Sequence, residues 1–295
     1  AHLESLHPEV RAPGLPATRS EDLVYQGGKT IADLAFANFY VGGDAWPAAD
    51  RKHIDDALAA AMGDSGLNNV LAQYFPAETV RSTFLGGRVL AGPAPARVDM
   101  DDVETLVTRL YQTGALGAVA PKVAFGRTVF NLLLPPGTIL STDSTNGGEV
   151  EVTGAFLPER EEADSLSGLG GYHGSVHLVD AGQRVTVYYA VGVYSQELSD
   201  GGSNGIVAFD EPWKNVVATF YHELCEARTD PDVGDAIRLG RDPRARRLLG
   251  WISRHGEECG DFPIREVGVN LRLVMKEVPL ASGAGKVPVQ LQYSN

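Results

Sequence analysis

The feature that most constrains the fold of this chain is residues 213–231, WKNVVATFYHELCEARTDP, because helical periodicity and a chemical motif coincide there. Apolar residues recur every three or four positions and predict a helix with one face that packs against a core. These residues are Trp213, Val217, Phe220, Leu224 and Ala227. Polar residues lie on a different side of the same helix, namely Asn215, Thr219, His222 and Glu226. The segment is therefore expected to pack through one face and to carry functional groups on another.

The helix carries an HExxE motif, formed by His222, Glu223 and Glu226. This motif is a variant of the HExxH of zinc peptidases, with a carboxylate as the second ligand. Residues four apart lie one above the other on a helix, so His222 and Glu226 can hold one ion. Glu223, one step round the helix, is placed to take a proton from a water that the ion activates. The same pattern also fits an ordinary solvated helix face, since these residue types are common on helices.

A helix with two ligands needs a further ligand from another segment. Residues 256–261, GEECGD, supply carboxylates, and Glu258 or Asp261 is expected to complete the set. Asp232 is a third choice, because it follows His222 by ten residues as in the extended HExxHxxGxxH/D motifs, although their glycine is missing. Zinc is the expected ion. The carboxylate of Glu226 makes the site more negative, which favours harder ions such as manganese or calcium, and calcium is the additional or alternative ion.

A glycine-rich run at residues 170–175 surrounds His173. Glycines allow a close approach of the backbone, so His173 is expected to line the site, as a catalytic residue or as a metal ligand. The alternative is a turn with a hydrogen-bonded histidine. Four residues are candidates to stabilise a developing oxyanion, and the sequence does not choose among them. These residues are His173, His177, His255 and Tyr172.

The only two cysteines, Cys225 and Cys259, lie inside the two candidate ligand segments. In an oxidising compartment, a disulfide between them would hold the loop at 258–261 against the motif helix. Two unrelated buried thiols are an equal alternative. Ligation of the ion by thiolates is a third, although the neighbouring donors are hard oxygens.

Composition bounds the class of protein. The chain has 295 residues, of which 43% are hydrophobic, so it can bury a substantial core in one large domain or two small ones. Its formal charge of -13 argues against nucleic acid or an anionic membrane as partner. No apolar run is long enough to cross a bilayer. The first ten residues lack the pattern of a signal peptide, so the chain is expected to be cytoplasmic or already processed.

Periodicity and turn signals predict helices and strands in alternation along the chain. Residues 141–171 are expected to form a long surface excursion, with a short strand at 149–152 and an acidic run at 159–164. The expected helices are at 47–63, 67–75, 99–113 and 213–231, with a further short helix after 231. The expected strands are at 30–40, within 79–96, and at 128–134, 184–194, 266–274 and 287–293.

From about Thr30 onward, several segments together resemble the EXORDIUM (phosphate-induced protein) family in a bacterial-type version. These segments are 38–42, Trp46, 171–175, 188–192 and 229–231. Plant members are secreted proteins linked to growth control and lack HExxE, whereas bacterial-type members with HELxEAxTDP, a tryptophan and ExGD resemble zinc-dependent peptidases. This chain has that form as HELCEARTDP, Trp251 and ECGD. It departs in an arginine-rich insertion between Asp232 and Trp251 and in a cysteine in each motif.

Prolines and glycines without periodicity predict an extended arm at 1–29. The resemblance implies an α+β, zincin-like fold, with a mixed sheet and an active-site helix, in one domain at 30–295. It implies a secreted metallopeptidase whose leader has been removed, which acts on a peptide or protein with Glu223 as general base. One alternative is a non-catalytic extracellular binding or signalling protein with a structural metal site. Another is a protein without metal, in which Glu226, Asp230 and Glu258 form salt bridges to arginines.

Overall fold

The computed structural model describes residues 19–143 and 164–295. The expected strand at 149–152, nearly all of the acidic run at 159–164 and the first part of the expected N-terminal arm lie outside these residues. In the described part of the chain, no helix is both long and apolar enough to cross a bilayer.

Thirteen strands and five α-helices occur in the described residues. The strands are β1 (Val24–Tyr25), β2 (Asp33–Tyr40), β3 (Arg81–Val89), β4 (Arg97–Val98), β5 (Thr128–Leu133), β6 (Ile139–Leu140), β7 (Gly171–Asp180), β8 (Gln183–Gly192), β9 (Gln196–Glu197), β10 (Ser203–Asn204), β11 (Trp251–Ile252), β12 (Met275–Pro279) and β13 (Lys286–Gln290). The helices are α1 (Ala48–Gly63), α2 (Met100–Gln112), α3 (Pro212–Thr229), α4 (Val233–Leu239) and α5 (Asp261–Val267).

A mixed sheet of five strands, in the order β3-β2-β5-β8-β7, forms the centre of the fold. Strands β3, β2, β5 and β8 run parallel to one another, and β7 is antiparallel to β8 at one edge. Seven of the eight residues of β2 are buried, as expected for a central strand that is covered on both faces. The sheet with its helices confirms the predicted α+β class.

Helices cover both faces of this sheet. Side chains of β2 alternate between two cores, so that Phe36 belongs to one cluster and Phe39 to the other. The first core also holds side chains of α1, α3 and the hairpin of β12 and β13, and the second holds side chains of α2. Helix α3 therefore lies between the sheet and the hairpin, with its apolar residues Phe220 and Leu224 fully buried.

Most predicted elements are confirmed within a few residues, including the helix that carries HExxE. Asp99 caps helix α2, since it accepts a hydrogen bond from the Asp102 amide in a capping box. The expected helix at 67–75 is a 3-10 helix over Leu67–Tyr74. Residues 24–25 of the expected N-terminal arm pair with residues 251–252, so this part of the arm packs against the domain.

One expectation for secondary structure is wrong, and one strand has no counterpart among the expected elements. The strand expected at 266–274 is instead helix α5 followed by a 3-10 turn at Leu271–Leu273, and strand β12 begins at Met275. Asp261 and Pro263 in the first turn favour a helix start, and Gly268 ends the helix at a positive φ of 53°. Strand β7 has no predicted counterpart, because the glycines at 171 and 174 interrupt the apolar alternation that marks a strand.

Candidate metal centre

Helix α3 places the motif residues as their spacing predicts. The Nε2 atom of His222 lies 3.1 Å from Oε2 of Glu226, one turn later on the helix. Oε1 of Glu223 lies 4.0 Å from the same nitrogen. The opposite side of the helix is held in the core, with Val217, Phe220 and Leu224 fully buried. The HExxE side chains are therefore anchored on a rigid element.

The loop before α5 closes against this helix. The Gly260 amide donates a hydrogen bond of 3.0 Å to Oε1 of Glu226. A Cβ at position 260 would clash with the His222 ring and with Glu226, so glycine permits this approach. The Glu258 amide donates to Oδ2 of Asp261 at 2.9 Å, and Oδ1 of Asp261 lies 3.8 Å from Nε2 of His222. Both carboxylates that the sequence proposed as further ligands thus reach the motif helix.

His173 enters the same cluster from strand β7. Its Nδ1 atom lies 3.3 Å from Oε2 of Glu223. Its Nε2 atom lies 3.1 Å from the backbone oxygen of Asp230 and 3.6 Å from Oε1 of Glu258. Its side chain is only 4% exposed. The structure therefore brings His173 together with Glu223 of the motif helix and with Glu258 of the loop before α5.

Among the described residues, two overlapping groups of side chains can each hold a metal ion. One consists of His222, Glu223 and Glu226, and the other of His173, Glu226 and Glu258. Within each group, one ligand atom per residue lies within 4.8 Å of the others. Glu226 is shared by the two groups, and Asp261 borders the first.

Gln290 on β13 orients His222 and has no counterpart among the residues that the sequence singled out. Its Nε2 donates to the Gly260 carbonyl at 2.5 Å, which turns Oε1 toward Nδ1 of His222 at 2.6 Å. An amide oxygen only accepts, so Nδ1 carries the hydrogen and donates it. Nε2 of His222 is thereby directed at Glu226. Only the alternation of polar and apolar residues on β13 marks Gln290 in the sequence.

Burial and mutual repulsion shift the pKa values of the clustered groups. Burial alone would lower the pKa of His222, but the charge of Glu226 and its neighbours outweighs burial and holds the pKa well above its usual range. Burial also lowers the pKa of His173, but the hydrogen bond to Glu223 and the charge of that carboxylate outweigh burial and raise the pKa to about 8. Burial and the neighbouring carboxylates raise the pKa of Glu258 well above its usual value. Without a metal, the cluster therefore binds protons strongly.

The remaining candidates from the sequence lie outside both groups. Asp232 accepts a hydrogen bond of 2.9 Å from the Tyr188 hydroxyl. His177 pairs with Asp235 at 2.6 Å, and His255 lies 3.7 Å from Glu21. The Tyr172 ring packs edge-on against Tyr189.

Neither a disulfide nor salt bridges to arginine hold the cluster together. Cys225 and Cys259 are free buried thiols, so the proposed disulfide is wrong and the alternative of buried thiols is the observed one. Burial raises the pKa of Cys225 to about 12, which keeps it protonated and unsuited to ligation. Among the described residues, the carboxylates of Glu226 and Glu258 form salt bridges only with histidines. The interpretation of the acidic residues as partners of arginines is therefore wrong.

Comparison of the chain with models of protein families, with curated proteins and with solved structures finds no match. The buried group of histidines and glutamates is the feature of the described residues that most directly points to a chemical role.

Proposed function

We propose that this protein is a secreted metal-dependent hydrolase, most specifically a zinc metallopeptidase with a zincin-like fold. The observation that carries the proposal is the placement of His222 and Glu226 side by side on α3, with Glu223 between them in sequence and beside them in space. The proposal also draws on the resemblance of the motif segments to bacterial-type EXORDIUM proteins, and secretion is proposed from that resemblance. Support for the zincin-like fold comes from the mixed sheet and the buried motif helix packed against it.

The donor set fits a zinc ion. Imidazole nitrogen and carboxylate oxygen are both common zinc ligands, and Gln290 leaves Nε2 of His222 free to bind. Asp261 is the third ligand in this proposal, because it approaches Nε2 of His222 whereas Glu258 faces His173. The oxygen-rich set would also accept calcium as an additional or alternative ion. A bound zinc ion supplies Lewis acidity, which polarises a carbonyl and lowers the pKa of water to about 7.

Glu223 acts as the general base on a peptide substrate. Nδ1 of His173 donates to Oε2 of Glu223 and holds the carboxylate in place. The other oxygen, Oε1, is left to accept a proton from the attacking water. As the water oxygen bonds to the peptide carbon and the carbon–nitrogen bond breaks, Glu223 passes that proton to the leaving amine. His173 thus serves catalysis by positioning Glu223.

A second candidate function is a non-catalytic extracellular binding protein in which the metal is structural. The burial of the cluster favours it, since Glu226 is 3% exposed and both His173 and Glu258 are 8% exposed. Structural zinc sites are closed, whereas catalytic sites keep a position open for water. Asp261, with 36% of its side chain exposed, is the ligand through which solvent reaches the cluster.

Replacement of Glu223 by Gln tests the mechanism. We expect the purified wild-type protein to contain zinc and to cleave members of a peptide library. The E223Q variant should keep its metal but lose activity by roughly 10²- to 10⁴-fold, because the base is lost while the ligands remain. The exposed Glu266 provides the matched control, and E266Q should cleave normally.

The outcomes of this experiment separate the two candidate functions. Hydrolysis that is unchanged in E223Q would overturn the proposed mechanism. Wild-type protein that holds zinc and is stabilised by it, but cleaves no peptide, would establish the structural role instead. Protein that binds no divalent metal at all would overturn both.

A further inference from the structure

We infer that the centre binds two divalent cations bridged by Glu226, the second of them held by His173, Glu226 and Glu258. This inference rests on the proposed function for the first ion, which His222, Glu226 and Asp261 bind. The second ion belongs to the second group of side chains, and its ligands come from β7, α3 and the loop before α5.

The orientation of His173 shows where the second ion lies. Nδ1 of His173 faces Glu223, and Nε2 faces two further acceptors, the Asp230 carbonyl at 3.1 Å and Oε1 of Glu258 at 3.6 Å. Acceptors that converge on one nitrogen need a positive charge between them. A proton on Nε2 supplies it in the metal-free protein, and a divalent ion would supply it in place of that proton. Two ligand atoms at about 2.1 Å from a tetrahedral zinc ion are about 3.4 Å apart, close to these distances.

An unpaired buried atom marks the same position. Oε1 of Glu258 is inaccessible to solvent and has no hydrogen-bond partner among the described residues. The whole residue is only 8% exposed. A buried carboxylate oxygen that lacks a donor costs free energy, and a metal ion at this point removes that cost.

The number of carboxylates in the cluster also favours two divalent ions over one. Five carboxylates lie together with two histidines, and in the described residues Arg228, the nearest arginine on α3, donates instead to backbone oxygens of Ile31, Ala32 and Arg81. One divalent cation balances less than half of the carboxylate charge, and two balance most of it. Buried charges in proteins are paired or bind metal, so two ions fit this site better than one. The five carboxylates belong to Glu223, Glu226, Asp230, Glu258 and Asp261.

Glu226 is suited to bridge the ions. Its Oε2 atom approaches His222, and its carboxylate also belongs to the group of His173 and Glu258. Each histidine has its outer hydrogen held by an acceptor, Gln290 for His222 and Glu223 for His173. The two histidines therefore belong to two groups that share the carboxylate of Glu226, which is the arrangement needed for two ions about 3.5–4 Å apart.

The test is the number of zinc ions that the full-length, metal-free protein binds. We expect two per chain by isothermal titration and by elemental analysis after desalting. E258Q should bind one, because the second ion loses a ligand while His222 and Asp261 remain. The control E266Q should bind two. Circular dichroism and the melting temperature establish that each variant is folded.

A second measurement needs no variant. Two Mn²⁺ ions that share a carboxylate couple magnetically, so the electron paramagnetic resonance spectrum of the wild-type protein at two equivalents should differ from twice the spectrum at one equivalent. One zinc per chain, abolished in H222N and unchanged in E258Q, with an uncoupled manganese spectrum, would overturn the second ion and leave the proposed function standing. No bound metal in any form of the protein would overturn both.

Discussion

At the scale of single residues, the cluster depends on side chains that fix the direction of a nitrogen or an oxygen. Gln290 determines which nitrogen of His222 carries hydrogen, and Glu223 does the same for His173. Such outer hydrogen bonds set the tautomer and basicity of a metal-binding histidine. Gln290 is therefore a positioning residue whose loss should weaken metal binding without removal of any ligand.

Replacement of Gln290 by Leu should lower the affinity for the first zinc ion by roughly 10- to 100-fold, the range found for lost outer partners of metal ligands. The leucine removes the acceptor of His222 Nδ1 and the donor to the Gly260 carbonyl. Competition with a chromophoric chelator measures the affinity. The exposed Gln112 on α2 supplies the control, since Q112L should bind zinc normally. An unchanged affinity in Q290L would remove Gln290 from the centre.

At the scale of elements, α3 must be held at a defined distance from the sheet, and Arg228 does this. The residue is completely buried near the end of the helix. Its guanidinium donates to the backbone oxygens of Ile31 and Ala32, before β2, and of Arg81, at the start of β3. These oxygens lie where the parallel strands β2 and β3 begin, so a single side chain joins the motif helix to the sheet.

Replacement of Arg228 by Met should destabilise the protein by about 3 kcal/mol or more, because three backbone oxygens each lose a hydrogen bond from the buried guanidinium. Unfolding in urea measures the change in free energy. Arg272, which forms a salt bridge to the exposed Asp210, provides the control, and R272M should change stability by less than about 1 kcal/mol. Equal stability of the two variants would show that α3 is held by apolar packing alone.

At the scale of the whole molecule, the cluster makes stability depend on pH and metal together. Burial raises the pKa of Asp230 from 3.8 to about 7. Burial and the neighbouring carboxylates also raise the pKa of Glu258. The folded protein then binds more protons than the unfolded chain between about pH 4 and pH 7, so its stability falls as the pH rises through this range. His173, with its pKa raised to about 8, extends the fall toward pH 8.

We therefore expect metal-free protein to be most stable near pH 4 to 5 and to lose a few kcal/mol by pH 8, at about 1.4 kcal/mol for each unit of pKa shift. Added zinc should reverse the trend above pH 6, since the ion replaces the protons. Melting temperatures of protein treated with EDTA, with and without zinc, measure both effects. D230N keeps the acceptor of the Gly250 amide and should flatten the slope. Stability of the metal-free protein that rises from pH 4 to 7 would contradict the prediction.

Local patterns in the sequence by themselves determined the features that depend only on residues close together in the chain. The spacing of apolar residues predicts α1, α2 and α3, because a helix repeats every 3.6 residues, and the four-residue interval brings His222 and Glu226 together before any tertiary contact forms. The carboxylates at 258 and 261 follow from the residue types that metals prefer. These predictions required no knowledge of packing.

Only the tertiary structure decided which distant groups meet at the motif. His173 and Glu223 are separated by 50 residues and His222 and Gln290 by 68, and no periodic pattern links residues so far apart. Their contacts arise because the edge strand β7 and the hairpin strand β13 both pack against α3 and turn one side chain each toward it. The same packing assigned Asp261 to His222 and Glu258 to His173, because a loop with a glycine at 260 can approach the helix more closely than any other residue allows.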